Sequence, residues 1–248
     1  MGTPELSIDG AVATIRLMRP EQANRLGPDD LAAIFKHIET VNSNEDVRVL
    51  KLTAGGKYFC SGFDINSLGT GGTMDFEAVV DAVENARPVT VAVLQGGVYG
   101  GATDLALSCD FRVGSELVDL FMPAARLGLH YYASGLQRYV QRLGLNNAKL
   151  LFLTAQKIQA QRLLDMGYLT HLCPAEQLDQ TVQDLTQTLL SMAPIPLLGM
   201  KKHLNRIAQG KLDMKDLEHD IQRARNSEDL QEGRRAWAEK RKPVFQGR

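Results

Sequence analysis

The chain has 248 residues, 44% of them hydrophobic, and a formal net charge of −1 at pH 7. This length and composition are sufficient to bury one large hydrophobic core. The near-neutral charge predicts neither a nucleic-acid partner nor electrostatic binding to a membrane. No apolar run approaches the roughly 20 residues of a membrane-spanning helix. No signal peptide is visible in the first residues, so we expect a cytoplasmic protein.

The three cysteines, Cys60, Cys109 and Cys173, lie far apart in the sequence. Their spacing matches neither a disulfide framework nor a metal-binding cluster. We therefore expect reduced thiols that form no metal-binding cluster.

The hydrophobic pattern of the first half predicts strands alternating with helices. Alternating residues predict a hairpin over residues 5–17, with its turn at Asp9–Gly10. The segments predicted after it are a helix over 29–44, a strand over 46–54, a loop over 55–72, a helix over 73–86, an unbroken apolar strand over 89–97, a helix after the following glycines, and short strands over 110–115 and 118–122.

The last third of the chain is predicted to be helical, apart from a short strand-like piece over 168–174. The predicted helices cover residues 134–154, 159–166, 174–191, 196–209 and 213–240. Together the two halves predict an α/β fold with a helical C-terminal region.

The stretch VYGGATDLALSCD, residues 98–110, places Gly100 and Gly101 between a strand and a helix. Backbone N–H groups at such a helix start can hold a phosphate or a developing oxyanion. A phosphate loop would need a lysine and a different glycine spacing, which are absent here. KYFCSGFDI, residues 57–65, forms a second loop after a strand, so the two loops predict a two-donor oxyanion hole. The alternative is that the glycines only let helix and sheet pack closely.

These two stretches resemble the signature segments of the crotonase (enoyl-CoA hydratase/isomerase) superfamily. Four further segments agree with that resemblance: RPEQANRL, LTAQKIQAQRLLDMGYLTHLCP, MKKHLN and SEDLQEGRRAWAEKRKPVF. The resemblance covers essentially the whole chain, and methylmalonyl-CoA decarboxylase-like members are the most similar in appearance.

The resemblance implies an α/β fold, the crotonase spiral of ββα units. Residues 1–190 would form the spiral core, and residues 191–248 a helical region that packs across a homotrimer or a dimer of trimers. The substrate would be an acyl-CoA thioester. Coenzyme A would enter as part of that substrate, so no separate cofactor and no metal are expected.

The resemblance also implies site residues. The thioester oxygen would accept hydrogen bonds from the backbone N–H groups of Phe63 and Gly101, with Asp104 and Tyr131 as further catalytic residues. The residues expected to hold coenzyme A are Cys60, Ser61, Gly62, Asp64, Ile65 and Gly100.

The sequence departs from the hydratase pattern, which uses two glutamates to position and activate water. Asp104 stands at the place of the first, one methylene shorter, and Ala124 stands at the place of the second, within MPAARLG. Alanine cannot transfer a proton, so hydration by two carboxylates is not expected.

Three interpretations remain open. In the first, the enzyme decarboxylates a malonyl- or methylmalonyl-type CoA, and the Tyr131 hydroxyl orients the leaving carboxylate or returns the proton; decarboxylase-like members usually carry histidine where this chain has Phe63. In the second, Asp104 is the only carboxylate of a hydratase or isomerase, assisted by His130 and Tyr132. In the third, the chain binds acyl-CoA without catalysis.

Overall fold

The computed structural model describes residues 2–67 and 75–248, and these residues contain two β-sheets. The first sheet has six strands in the order β1-β2-β3-β5-β7-β10, and the second has four in the order β4-β6-β8-β9. The strands are β1 (Glu5–Asp9), β2 (Val12–Leu17), β3 (Val49–Ala54), β4 (Tyr58–Cys60), β5 (Val89–Leu94), β6 (Gly97–Tyr99), β7 (Phe111–Ser115), β8 (Asp119–Phe121), β9 (Ile158–Gln159) and β10 (His171–Cys173).

Nine helices accompany these strands in the described part of the chain. They are α1 (Pro28–Ser43), α2 (Phe76–Glu84), α3 (Ala102–Ser108), α4 (Ala133–Thr154), α5 (Ala160–Asp165), α6 (Leu178–Leu190), α7 (Pro194–Ala208), α8 (Met214–Arg225) and α9 (Glu228–Ala238). Gly144, with φ of 76°, interrupts the regular helical backbone of α4.

A repeated ββα unit organises the first half of the molecule. A strand of the first sheet is followed by a short strand of the second sheet and then by a helix, as in β3-β4-α2, β5-β6-α3 and β7-β8-α4. Adjacent units pair in parallel within both sheets. Equivalent turns of successive units therefore lie side by side, and this brings the loop after β4 next to the loop after β6.

The main core contains buried residues of both sheets and of helices α1 to α5. The central strand β5 is buried along its full length, as expected for a strand covered on both faces. A second, smaller apolar cluster lies between the first sheet and α6, and includes Val91, Val113 and Val182.

The structure confirms the predicted hairpin, with Gly10 at positive φ in its turn, and most of the predicted helices. It corrects the apolar strand predicted over 89–97, which is two strands. The first ends at Leu94 and the second begins at Gly97, because the chain passes to the other sheet at Gln95–Gly96. The Cβ of any side chain at Gly96 would overlap the Lys57 carbonyl oxygen, so glycine is required at this crossing.

Two other predictions need correction, and one strand was not predicted. The loop predicted over 55–72 contains strand β4 and a 3₁₀ turn at Ile65–Ser67. The helix predicted over 213–240 is two helices, because the Ser227 hydroxyl accepts the Leu230 N–H and caps the start of α9. Strand β9 was not predicted. Residues 68–74, which belong to the predicted loop and to the start of the helix predicted over 73–86, lie outside the described residues.

The C-terminal helices are attached to the sheet region by polar contacts of α7. The Lys201 ammonium lies 2.8 Å from an Asp110 carboxylate oxygen and donates to the Pro88 carbonyl at 2.5 Å. The Asn205 side chain donates to the Glu84 carbonyl at 2.9 Å. Among the described residues, no helix is both long and apolar enough to cross a membrane.

Candidate active site

The two glycine-containing loops predicted to form the site lie against each other. A methyl group added at Gly62 would lie 2.8 Å from the Tyr99 carbonyl oxygen and 3.1 Å from the Gly101 nitrogen. Gly62 and Gly100 also have φ values of 100° and 55°, which glycine adopts without steric cost. The close approach and both turns therefore depend on glycine at these positions.

The backbone N–H groups of Phe63 and Gly101 have no acceptor within residues 2–67 and 75–248. Phe63 forms an isolated parallel bridge with Leu26, in which the Leu26 N–H donates to Gly62 and the Leu26 carbonyl accepts from Asp64. In this pattern the N–H of Phe63 itself points away from Leu26. Gly101 is the N-cap of α3, where N–H groups lack partners inside the helix.

The remaining residues of the Cys60–Ile65 loop are fixed mainly by backbone contacts. The buried Cys60 thiol lies 3.0 Å from the Asn24 carbonyl oxygen, and burial raises its pKa to about 12, so it is no nucleophile at neutral pH. The Ser61 N–H donates to the Ala23 carbonyl.

The end of this loop is capped and leads to solvent. An Asp64 carboxylate oxygen accepts the Asn66 N–H at 3.2 Å and so caps the following turn. Ile65 is 49% exposed, which leaves an apolar side chain available to a ligand next to the capped loop.

Asp104 lies in the first turn of α3 and is fully buried. Its Oδ2 atom accepts the Tyr132 hydroxyl at 2.5 Å and the Arg138 guanidinium at 2.7 Å. Its Oδ1 atom has no hydrogen-bond partner among the described residues. Burial raises the pKa of this carboxyl, and the opposing effects of Arg138 and Tyr132 do not cancel that shift.

Arg138 of α4 joins the helices around the site. Its buried guanidinium lies 2.7 Å from Asp104, 2.6 Å from Asp81 and 3.0 Å from Glu84. Burial alone would lower the pKa of this group, but the Asp104 and Glu84 carboxylates raise it above its ordinary value. Glu84 is also 3.1 Å from the Arg142 guanidinium.

Both tyrosines of the HYY segment lie at the site. Their rings stack with centroids 4.4 Å apart, and the Tyr131 hydroxyl lies 3.4 Å from the Tyr132 hydroxyl. Tyr131 also packs on Phe152. Burial raises the pKa of both phenols, so both are protonated hydrogen-bond donors at neutral pH.

Ala124 and His130 were also named from the sequence. Ala124 is buried in the main core, where its carbonyl accepts the N–H groups of Leu127 and Leu129. His130 is exposed, and its ring bonds the adjacent Tyr131 carbonyl.

Sequence reasoning missed Arg138 and the pairing of Tyr132 with Asp104. One signal was available, because Arg138 occurs on the stripe of α4 that also buries Gly135 and Tyr139. A charged residue on a buried stripe requires a buried partner.

In the described part of the chain, His203, Asp216 and Asp220 on α7 and α8 form a cluster of side chains of the kind that bind metals. The Lys202 ammonium lies 2.8 Å from Asp216 and 2.7 Å from Asp220, and Arg206 also pairs with Asp216. These cations already compensate the two carboxylates, so the cluster is an ion-pair network between helices.

The chain belongs to the enoyl-CoA hydratase/isomerase family, whose model matches residues 7–248. It is 31% identical to the enoyl-CoA isomerase/hydratase fer4 of Mycosarcoma maydis, over 94% of this chain and 91% of that protein. It is 28% identical to the methylmalonyl-CoA decarboxylase of Escherichia coli K12, over 95% of both chains. The crystal structure of an enoyl-CoA hydratase from Bacillus anthracis superposes with a TM-score of 0.90 at 25% identity, covering 100% of both chains. The expected crotonase fold is thereby confirmed.

We predict that Tyr132→Phe lowers the free energy of unfolding at neutral pH by about 1.5–3 kcal/mol, because a hydrogen bond to a buried carboxylate is lost. The folded-state pKa of Asp104 is raised, so this group favours the folded state at low pH and loses that effect as pH rises through the raised pKa. Removing the Tyr132 donor raises this pKa further. The difference in unfolding free energy between the variant and the unmodified protein should therefore shrink as the pH falls. Urea unfolding of both proteins across a pH series measures this difference.

Tyr131→Phe is the matched control for this prediction, because its hydroxyl does not contact Asp104. Tyr131→Phe should lower the free energy of unfolding by less at neutral pH, and the loss should not depend on pH in the same way. Equal, pH-independent losses in both variants would contradict the assigned contact.

Proposed function

We propose that this protein decarboxylates a malonyl-type coenzyme A thioester. The thioester oxygen would accept the N–H groups of Phe63 and Gly101, which have no acceptor among the described residues. The family membership supports an acyl-CoA substrate, and the E. coli relative is a methylmalonyl-CoA decarboxylase. The thioester itself accepts the electron pair, so the proposed reaction requires neither metal nor redox cofactor.

The observation that carries this proposal is that Asp104 is already hydrogen-bonded to two side chains of the protein. The one carboxylate at the helix start is held through Oδ2 by Arg138 and Tyr132, and alanine occupies the place of the second carboxylate. A two-carboxylate activation of water is therefore not available. Decarboxylation needs no protein base, because the substrate itself carries the carboxylate that leaves.

The reaction has two steps. The bond between C2 and the substrate carboxylate breaks, CO₂ leaves, and the electron pair passes through C2 to the thioester oxygen as an enolate. A proton then adds to C2, the C2–H bond forms, and the thioester carbonyl is restored. The proton comes from the Tyr131 phenol, which solvent reprotonates, or directly from water.

Tyr131 is a better proton donor than Tyr132 because its hydroxyl makes the weaker hydrogen bond within the protein. The Tyr132 hydroxyl has one proton, and it is given to Asp104 at 2.5 Å. The Tyr131 hydroxyl lies 3.4 Å from that of Tyr132, beyond the usual range for an O–H···O hydrogen bond. Its proton can therefore be redirected to a substrate carboxylate or enolate at little cost.

A second candidate function is hydration or isomerisation of an enoyl-CoA with Asp104 as the only carboxylate. The specific observation in its favour is the Oδ1 atom, which is buried and has no partner among the described residues. That atom can accept a hydrogen bond from a water molecule, and the raised pKa of Asp104 suits proton transfer.

We also propose that the C-terminal helices form the contact between subunits of a trimer or a dimer of trimers. Apolar side chains remain exposed on α7 to α9, with Trp237 88% exposed and Leu204 65% exposed. A continuous apolar groove lined by Met200, Ile207 and Trp237 runs between these helices. Burying such a surface against a second copy removes it from water.

The first experiment is incubation of the protein with malonyl-CoA, methylmalonyl-CoA and crotonyl-CoA separately, with products identified by mass spectrometry. We expect acetyl-CoA and propionyl-CoA from the first two, each with one deuteron at C2 when the reaction runs in D₂O. Hydration of crotonyl-CoA without decarboxylation would instead assign the second candidate function. Binding of the thioesters without any turnover would indicate an acyl-CoA-binding protein.

Two substitutions separate the roles of the polar groups. Tyr131→Phe should lower decarboxylation about 10- to 100-fold, the effect of one hydrogen bond to a charged group. Asp104→Asn should lower it less than about tenfold, whereas an Asp104-dependent hydratase would lose about 10²- to 10⁴-fold. Steady-state rates measure both, and thermal unfolding of each variant controls for loss of the fold.

Sedimentation equilibrium tests the proposed assembly. We expect the mass of three or six copies for the unmodified chain, and Leu204→Asp should shift it toward the monomer because the charge would be buried at the contact. The matched control is Leu153→Asp, on an exposed α4 position. A monomeric unmodified chain would contradict the proposal.

A further inference from the structure

The ring of Phe76 stands directly over Gly101. A methyl group added at Gly101 would lie 2.7 Å from the Cζ atom of Phe76 and 3.1 Å from its Cε1 atom. Phe76 is the first residue of α2, so this helix delivers an aromatic side chain to the start of α3. Any group bound to the Gly101 N–H therefore lies close to this ring.

Phe76 completes a set of four aromatic rings at this point. Its centroid lies 5.8 Å from that of Phe63 and 6.1 Å from that of Tyr132. Tyr131 stacks on Tyr132, with ring centroids 4.4 Å apart. The set begins at Gly101 with the Phe76 ring, so ring atoms limit the space for an acyl chain beside the Gly101 N–H.

Helix α2 is held in place by acidic side chains on one face. Glu77, Asp81 and Glu84 are spaced by four and three residues, which places them along one side of a helix. A Glu77 oxygen accepts the Ser134 hydroxyl at 2.8 Å and the Ser134 N–H at 3.2 Å, while Asp81 and Glu84 bind Arg138. All of these partners belong to α4. Phe76 therefore cannot leave Gly101 by a movement of α2 without breaking this row of contacts.

We infer that Phe76 is the residue that limits the length of the acyl group, and that the enzyme accepts only short acyl thioesters. The inference rests on the proposed thioester site at Phe63 and Gly101. The size limit comes from a ring that is anchored through α2 and α4, and removing the ring extends the space next to Gly101. A pocket of this kind discriminates by steric overlap with longer chains.

The test measures dissociation constants by titration calorimetry for unreactive acetyl-, butyryl-, hexanoyl- and octanoyl-CoA. In the unmodified enzyme we expect affinity to fall beyond butyryl-CoA. Phe76→Ala should tighten octanoyl-CoA about tenfold or more relative to acetyl-CoA, the scale on which a hydrophobic pocket distinguishes added methylenes. Phe76→Leu, a milder change in case the alanine variant folds poorly, should give an intermediate shift.

Phe111→Ala is the matched control, because Phe111 is also a half-buried phenylalanine but packs on His171 by the second apolar cluster. It should leave the chain-length profile unchanged. An unmodified enzyme that binds octanoyl-CoA as tightly as butyryl-CoA, or a parallel shift of all four ligands in Phe76→Ala, would overturn the inference.

Binding and turnover separate this inference from the proposed function. A chain-length shift without any decarboxylation of malonyl-type thioesters would leave the size limit in place and overturn the reaction. Decarboxylation with an unchanged profile in Phe76→Ala would overturn only the role of Phe76. No binding of any of the thioesters would overturn both.

Discussion

The contact of one buried guanidinium, Arg138, with three carboxylates determines how the helices of this site meet. Taking a charge out of water is expensive, and it is compensated only where the partners are complete. Three carboxylates exceed one cation, so each acid has a second source of stabilisation. Glu84 is shared with Arg142, Asp104 accepts from Tyr132, and Asp81 remains partly open to water. Since the acids come from α2 and α3 and the cation from α4, the network joins three helices that are separate in sequence.

This network serves the fold and restricts the chemistry at the same time. It holds α2 so that Phe76 faces Gly101, and it engages the only acid in the first turn of α3. A carboxylate that pairs with a buried cation cannot move without disturbing the helices around it. The groups that remain available to a substrate are the backbone donors, the Tyr131 hydroxyl and the Oδ1 atom of Asp104, which has no partner among the described residues.

Local patterns were sufficient to predict the elements but not every break between them. The strand predicted over 89–97 includes Gln95 and Gly96, and the sequence alone does not show that the chain passes to the other sheet there. That passage depends on the close approach of Gly96 to the carbonyl of Lys57, a residue distant in sequence. The two glycine loops were predicted because backbone geometry leaves a sequence signature. Arg138 was missed because ion pairs across three helices leave none, beyond a charge on a buried stripe. Which of the adjacent tyrosines binds Asp104 likewise depends on tertiary packing.

Main-chain donors and side chains, the two kinds of group in the proposed site, differ in how they depend on sequence. The Phe63 and Gly101 donors belong to the main chain, and their direction follows from the Leu26 bridge and from the start of α3. Side chains around them can change while these donors stay in place. With alanine at the position that the resemblance assigns to the second acid, the proposed site keeps its main-chain donors for negative charge on a thioester oxygen. It has fewer means to add or remove protons from water. A reaction that generates its enolate by losing CO₂ uses the first capacity and does not require the second before the bond has broken.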